Sequence, residues 1–126
     1  MPESLLISPY VIPGLIKGAI EYDRNEMVVL IVNIVCKHFK ISTSDIYSKK
    51  RPDRICTARH WIFYLLRKRT PLFYTEIGQI FSRDHTTVMH SFRYIQGQLS
   101  SKTRNVTKQE YKSLIFKLNK FSYKES

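Results

Sequence analysis

TEIGQIFSRDHTTVMHSFRYIQGQL, residues 75–99, carries two helical patterns set almost end to end. In the first, Thr75 to Phe81, Ile77, Ile80 and Phe81 recur at the i, i+3, i+4 spacing of a helix with one apolar side. Ser82-Arg83 makes the turn. In the second, from about Asp84 to Leu99, a rotation of roughly 100° per residue gathers Val88, Phe92, Ile95 and Leu99 in one sector. Thr86, His90 and Arg93 fall in the opposite sector. One side is core; the other is open to a ligand. A helix over Phe73–Phe81, a tight turn, and a helix over Asp84–Leu99 make a helix-turn-helix pattern.

Within it, RDHTTVMH (Arg83–His90) is dense in reactive groups. Metal binding is a poor match: His85 and His90 are five apart and point about 140° away from each other on a helix, whereas helical zinc ligands prefer i, i+4. Asp84 does not repair that. Thr86 and His90 are i, i+4 neighbours, but no P-loop, nucleophile elbow or paired-carboxylate pattern accompanies them, so no catalytic residue and no cofactor is expected. Reading of bases suits the residue types better. An aspartate accepts from cytosine N4, a threonine methyl meets a thymine methyl, and a histidine donates to purine N7 or a phosphate. Asp84 is also well placed as an N-cap, with Thr87 supporting it, and the two roles are compatible.

The rest of the chain agrees with a polyanionic partner. Lys and Arg number 21 against 10 Asp and Glu, a net charge of +11, which favours nucleic acid or an anionic membrane surface. A length of 126 residues with 43% hydrophobic content suits one folded domain. The longest apolar run, Met27 to Cys36, falls short of the roughly 20 residues a bilayer span needs. Residues 1–24 lack the basic start of a signal peptide and are punctuated by Pro2, Pro9, Pro13, Gly14 and Gly18. They read as an apolar arm packed on the domain or on a neighbour, with residues 25–126 as the domain proper. A cytoplasmic location follows. Cys36 and Cys56 have no zinc-ligand spacing and read as two buried free thiols.

EMVVLIVNIVCKHF, residues 26–39, suits a buried strand by its β-branched run, or a helix started at Asn25 by its length. Ser44 or Asp45 starts one helical turn. In KKRPDRICTARHWIFYLLRKR, Lys49 to Arg69, the positions Ala58, Trp61, Ile62, Leu65 and Leu66 follow a helix, ended by Pro71. This stretch holds eight Lys or Arg against one acid, Asp53. Arg67, Lys68 and Arg69 read equally as a solvated face. Lys49-Lys50-Arg51-Pro52 enters the helix and is shaped to reach phosphates or a minor groove. Thr107 to Glu110 forms a capping-box pattern, and Tyr111, Leu114, Ile115, Leu118 and Phe121 form the inward stripe of a last helix. The fold class expected is all-α, with about five main helices.

The segment SKKRPDRICTARHWIFYLLRKRTPLFYTEIGQIFSRDHTTVMHSFRYI resembles the C-terminal DNA-binding domain of the bacterial replication initiator DnaA. The RDHTTV core, the preceding EIGQIF and the basic SKKR match in order and spacing, over roughly residues 26–121. The resemblance tips residues 26–39 toward helix. It implies a helical bundle containing a helix-turn-helix, TrpR/DnaA domain IV-like, and double-stranded DNA as partner, with a box similar to TTATCCACA as first ligand. It implies that Asp84, His85 and Thr86 read bases in the major groove and that Arg51 enters the adjacent minor groove. It implies phosphate contacts by Lys50, Arg54, Arg59, His60, Tyr74, Thr75, Thr87, His90 and Arg93, with Arg83 supporting the turn or a phosphate.

The sequence also departs from the family. The usual GGRDH turn is here one residue shorter, with Ser82 before Arg83; Asp53 stands where a basic residue is common, with Arg54 beside it; His60 replaces the usual Gln. No GxxxxGK[ST] occurs, so no ATP site is expected. The reading is therefore a stand-alone, nucleoid-associated bacterial domain that binds specific DNA and regulates replication initiation or transcription. The other class of reading is a protein-interaction adaptor derived from an initiator domain, docking a replication partner through some of its eight Tyr and seven Phe. Oligomeric state does not follow from the residues.

Overall fold

A computed structural model describes residues 20–124 of the chain. They form, in order, β1 (Ile20–Tyr22), α1 (Arg24–Phe39), α2 (Thr43–Tyr47), α3 (Asp53–Arg69), α4 (Tyr74–Phe81), α5 (His85–Ser100), α6 (Val106–Leu118) and β2 (Phe121–Tyr123). The domain is all-α apart from the two short strands, which pair in parallel with Ile20 opposite Phe121 and Tyr22 opposite Tyr123. Residues 20–24 of the expected arm thus belong to β1 and the start of α1. The remainder of the arm lies outside the described residues.

The ambiguous stretch is helix α1. Its buried residues, Met27, Val28, Ile31, Val32, Val35 and Cys36, repeat with helical and not alternating spacing. The start is Asp23, not Asn25: the Asp23 carboxylate accepts from Glu26 N at 2.8 Å, and Asp23 N donates back to Glu26 Oε1 at 3.0 Å. That reciprocal pair satisfies two donors a helix start leaves unpaired. The same device at Ser42 and Asp45 starts α2, two or three residues before the expected Ser44 or Asp45. α6 begins at Asn105, whose side chain accepts from Lys108 N at 2.9 Å, so Thr107 lies inside the helix and is not its cap.

α3 is the central helix. Ile55, Ala58, Trp61, Ile62, Phe63, Tyr64, Leu65 and Leu66 are all buried, because α1, α2, α4 and α5 pack around it. Phe81 of α4 stacks on Tyr47 and meets the edge of Phe63, and Tyr64 stacks on Phe92 of α5. Such rings contribute beyond the area they bury.

Three expectations about individual residues give way here. Arg69 is no solvated residue: it is 2% exposed, and its Nη2 donates to the carbonyls of Leu118 at 3.0 Å and Phe121 at 3.1 Å. Burial pulls its pKa down to about 10. Those two bonds tie the end of α3 to the place where α6 stops, so Phe121 belongs to β2 and not to the α6 stripe. Cys36 is buried, but Cys56 is only half-buried.

Candidate nucleic-acid interface

α4 and α5 meet at a three-residue turn. Ser82 closes α4 in the left-handed conformation, φ 54° and ψ 46°, with its N–H directed at the Gln79 and Gly78 carbonyls. Arg83 N then donates to Gly78 O at 2.8 Å. Asp84 caps α5: its Oδ1 accepts from Thr86 N at 2.8 Å and from Thr86 Oγ1 at 2.6 Å. The Thr86 hydrogen bonds hold the Asp84 carboxyl below the usual carboxylate range. Both Asp84 and His85 stay exposed, with His85 Nδ1 3.4 Å from Asp84 Oδ1. Val88, Ser91 and Ile95 are buried on the inner side of α5, whereas Thr86, Thr87, His90 and Arg93 are exposed on the outer side.

The basic segment reaches the same side from another part of the chain. Lys49, Arg51, Arg59, His60, Arg83 and Thr87 line one hollow of about 430 Å³ between the segment before α3 and the amino end of α5. Lys50 and Arg51 are exposed, and Lys50 pairs with Asp45 at 3.0 Å. Lys49 had no individual role in the sequence reading, yet it borders this hollow; its place in the KKRP run was the available signal.

Not every expected contact lies there. Arg59 is 7% exposed, and its guanidinium is engaged by backbone carbonyls: Nε with Ile46 at 3.0 Å, Nη1 with Lys50 at 2.6 Å, and Nη2 with Asp45 at 3.0 Å and Ser48 at 2.6 Å. Burial, and then the nearby Arg83, lower its pKa. Arg59, expected at a phosphate, is here bonded internally while still bordering the hollow. Arg54 is exposed but borders a different cleft, beside Asp53, Trp61, Tyr94 and Glu110. His60 is half-buried with Nδ1 2.7 Å from Ser91 Oγ, and burial lowers its pKa. Arg83 donates to Ser48 O and so supports the turn. Tyr74 is half-buried against Phe92, with the Arg67 guanidinium 5.6 Å over its ring, and Thr75 is exposed beside it. Arg67, which reads equally as a solvated residue along the chain, lies over Phe73 and Tyr74, aromatic partners beyond the Pro71 break.

The exposed amino end of one helix, seated on a second helix across a tight turn and flanked by a cationic segment, is the arrangement of a helix-turn-helix DNA-binding module. The family model of the bacterial dnaA protein helix-turn-helix matches residues 28–95, over half of the chain. The chain belongs to this DnaA helix-turn-helix family. Among its relatives, the chromosomal replication initiator protein DnaA of Methylibium petroleiphilum is 42% identical over 82 residues, covering 64% of this chain and 18% of that protein. The corresponding protein of Leptothrix cholodnii is 40% identical over 82 residues, 64% of this chain and 16% of its own length. That of Bacteroides thetaiotaomicron is 36% identical over 89 residues, 69% and 19%. The chain spans less than a fifth of the length of these curated relatives. No helix among the described residues is long and apolar enough to cross a membrane.

Proposed function

We propose that the domain binds double-stranded DNA in a sequence-dependent way, with the amino end of α5 in the major groove and Arg51 in the adjacent minor groove. The observation that carries this reading is the convergence of Lys49, Arg51, Arg83 and Thr87 on one hollow beside the exposed Asp84-His85-Thr86. Positive charges gathered in this way repel one another until an anion comes beside them; a duplex supplies phosphates to the exposed Lys49 and its neighbours, while Arg83 stays bonded to the Ser48 carbonyl. The Thr86 hydroxyl is engaged by Asp84, so the group it has left for a base is its methyl, the natural partner of thymine. Lys50, Thr75, His90 and Arg93 supply further phosphate contacts along the backbone.

The use we infer is occupation of DnaA-box-like sites, through which the domain regulates replication initiation or nearby transcription. The test is selection of bound duplexes from a random pool, followed by salt titration on the selected site. A motif similar to TTATCCACA is expected, with log affinity falling steeply against log salt, by about 0.9 per phosphate neutralised. A pool that yields no motif, with a flat salt profile, overturns the reading in favour of the adaptor.

A further inference from the structure

We propose that Arg59 and Arg83 are positioning residues that set the minor-groove segment against the major-groove helix by sharing one acceptor, the Ser48 carbonyl. This rests on the two-groove reading above and deepens it. Arg59 belongs to α3 and Arg83 to the turn before α5, yet the Nη2 of each donates to Ser48 O. Ser48 lies only three residues before Arg51.

The segment between has little regular structure of its own. Residues 49–52 are neither helix nor strand, and Lys49 to Pro52 are exposed. Its backbone is nonetheless held at three carbonyls: Ser48 O by both arginines, Lys50 O by Arg59 Nη1 at 2.6 Å, and Arg51 O by Cys56 Sγ at 3.4 Å. On the near side, Ser48 Oγ donates to Asp45 O at 2.7 Å and accepts from Lys50 N at 3.2 Å. A segment ordered before the duplex arrives does not lose that freedom on binding. Arg83 directly precedes Asp84, so the same bond fixes the distance from the Arg51 backbone to the cap of α5. A lysine keeps the charge, but at 59 it cannot span four carbonyls as a planar fork does, and at 83 its ammonium ends one bond short of the Nη2 that reaches Ser48 O.

The test uses R59K and R83K in the full chain, alone and combined with R51A. Four quantities are read: thermal midpoint, hydrogen exchange of the Ser48 and Lys50 amides, bonded to Asp45 O and Ser48 Oγ, in the free protein, salt slope, and the affinity ratio between a box with A·T-rich and one with G·C-rich flanks. Expected are exchange at Ser48 and Lys50 at least tenfold faster, a flank ratio moved most of the way to that of R51A, an unchanged salt slope, and little further loss when either is added to R51A. R83K, in a half-exposed turn, carries the test should R59K fail to fold. A salt slope shallower by about one phosphate in R59Q or R83Q, which unlike the lysine variants lose the charge, makes that residue a DNA ligand and overturns the proposal, as do unchanged Ser48 and Lys50 exchange in the lysine variants or losses that add to those of R51A. An R51A protein that keeps the wild-type flank ratio refutes the minor-groove reading instead, while the exchange data still decide the clamp.

Discussion

A Cβ placed on Gly78 stands 2.5 Å from the carbonyl oxygen of Arg83. The contact is backbone on one side and helix on the other, so neither can swing away as a flexible side chain would. Gly78 is buried in α4, and its own carbonyl accepts from Arg83 N at 2.8 Å. The close approach of α4 to the turn therefore requires glycine. Gly78→Ala is expected to destabilise the fold by about 1–3 kcal/mol, as overpacking does, in denaturant unfolding. It also displaces the residue that precedes the Asp84 cap, so affinity for the selected box falls beyond the loss in folded fraction.

Ser82 poses the opposite case. It is a non-glycine residue at φ 54°, where the family's turn carries glycine. A left-handed backbone costs an L-residue roughly 1–2 kcal/mol, partly offset by the greater unfolded-state freedom of glycine. Ser82→Gly should therefore raise stability by about 0.5–1 kcal/mol. Gly97 is a helix-interior glycine with open space where a Cβ would go; Gly97→Ala should gain about as much, by helix propensity. Thermal midpoints of the two variants check both, and a fall in either contradicts the geometry assigned to it.

His85→Ala and Thr86→Ala should each relax selectivity at one base position, at about 1–3 kcal/mol per good base contact. Thr86→Ala removes a hydroxyl bonded to Asp84 but keeps the backbone N–H that Asp84 also caps, so α5 retains its cap. Competition between the selected box and single-base variants is the measurement. Equal weakening on specific and random duplexes would show that these residues do not read bases.

His60 makes stability depend on pH. Burial beside Ser91 lowers its pKa below the ordinary value of about 6.5. Between that value and the lowered folded one, the unfolded chain binds a proton that the folded chain excludes. Stability therefore falls as pH drops through about 6.5, and this loss levels off below the folded value. His60→Gln keeps a hydrogen-bonding side chain for Ser91 and does not titrate. The decline in melting temperature from about pH 7.5 to about pH 5 should be smaller in the variant. An identical decline in both proteins would place the titrating group elsewhere.

The helix-turn-helix was legible because its determinants are local. Ile77 and Phe81, then Val88 and Ile95, sit on the inner sides that their spacing indicated, and Asp84 caps α5 with groups two residues away. Helix starts were read less well. Asp23, Ser42 and Asn105 cap where Asn25, Ser44 or Asp45, and Thr107 had been expected, because several polar residues near each start could serve and only the path of the chain selects one.

Charge, helical period and the RDHTTV signature determined by themselves that this is a basic helical domain with one open face on α5. The fate of each arginine was decided only in three dimensions. Arg51, Arg59 and Arg69 look alike along the chain, yet one is exposed and two are buried against carbonyls. The acceptors lie 11 positions from Arg59, at Ser48, and 49 from Arg69, at Leu118. Periodicity reports which side of a helix is covered. It does not report which carbonyls another part of the chain leaves without a donor, and it is those that capture a guanidinium.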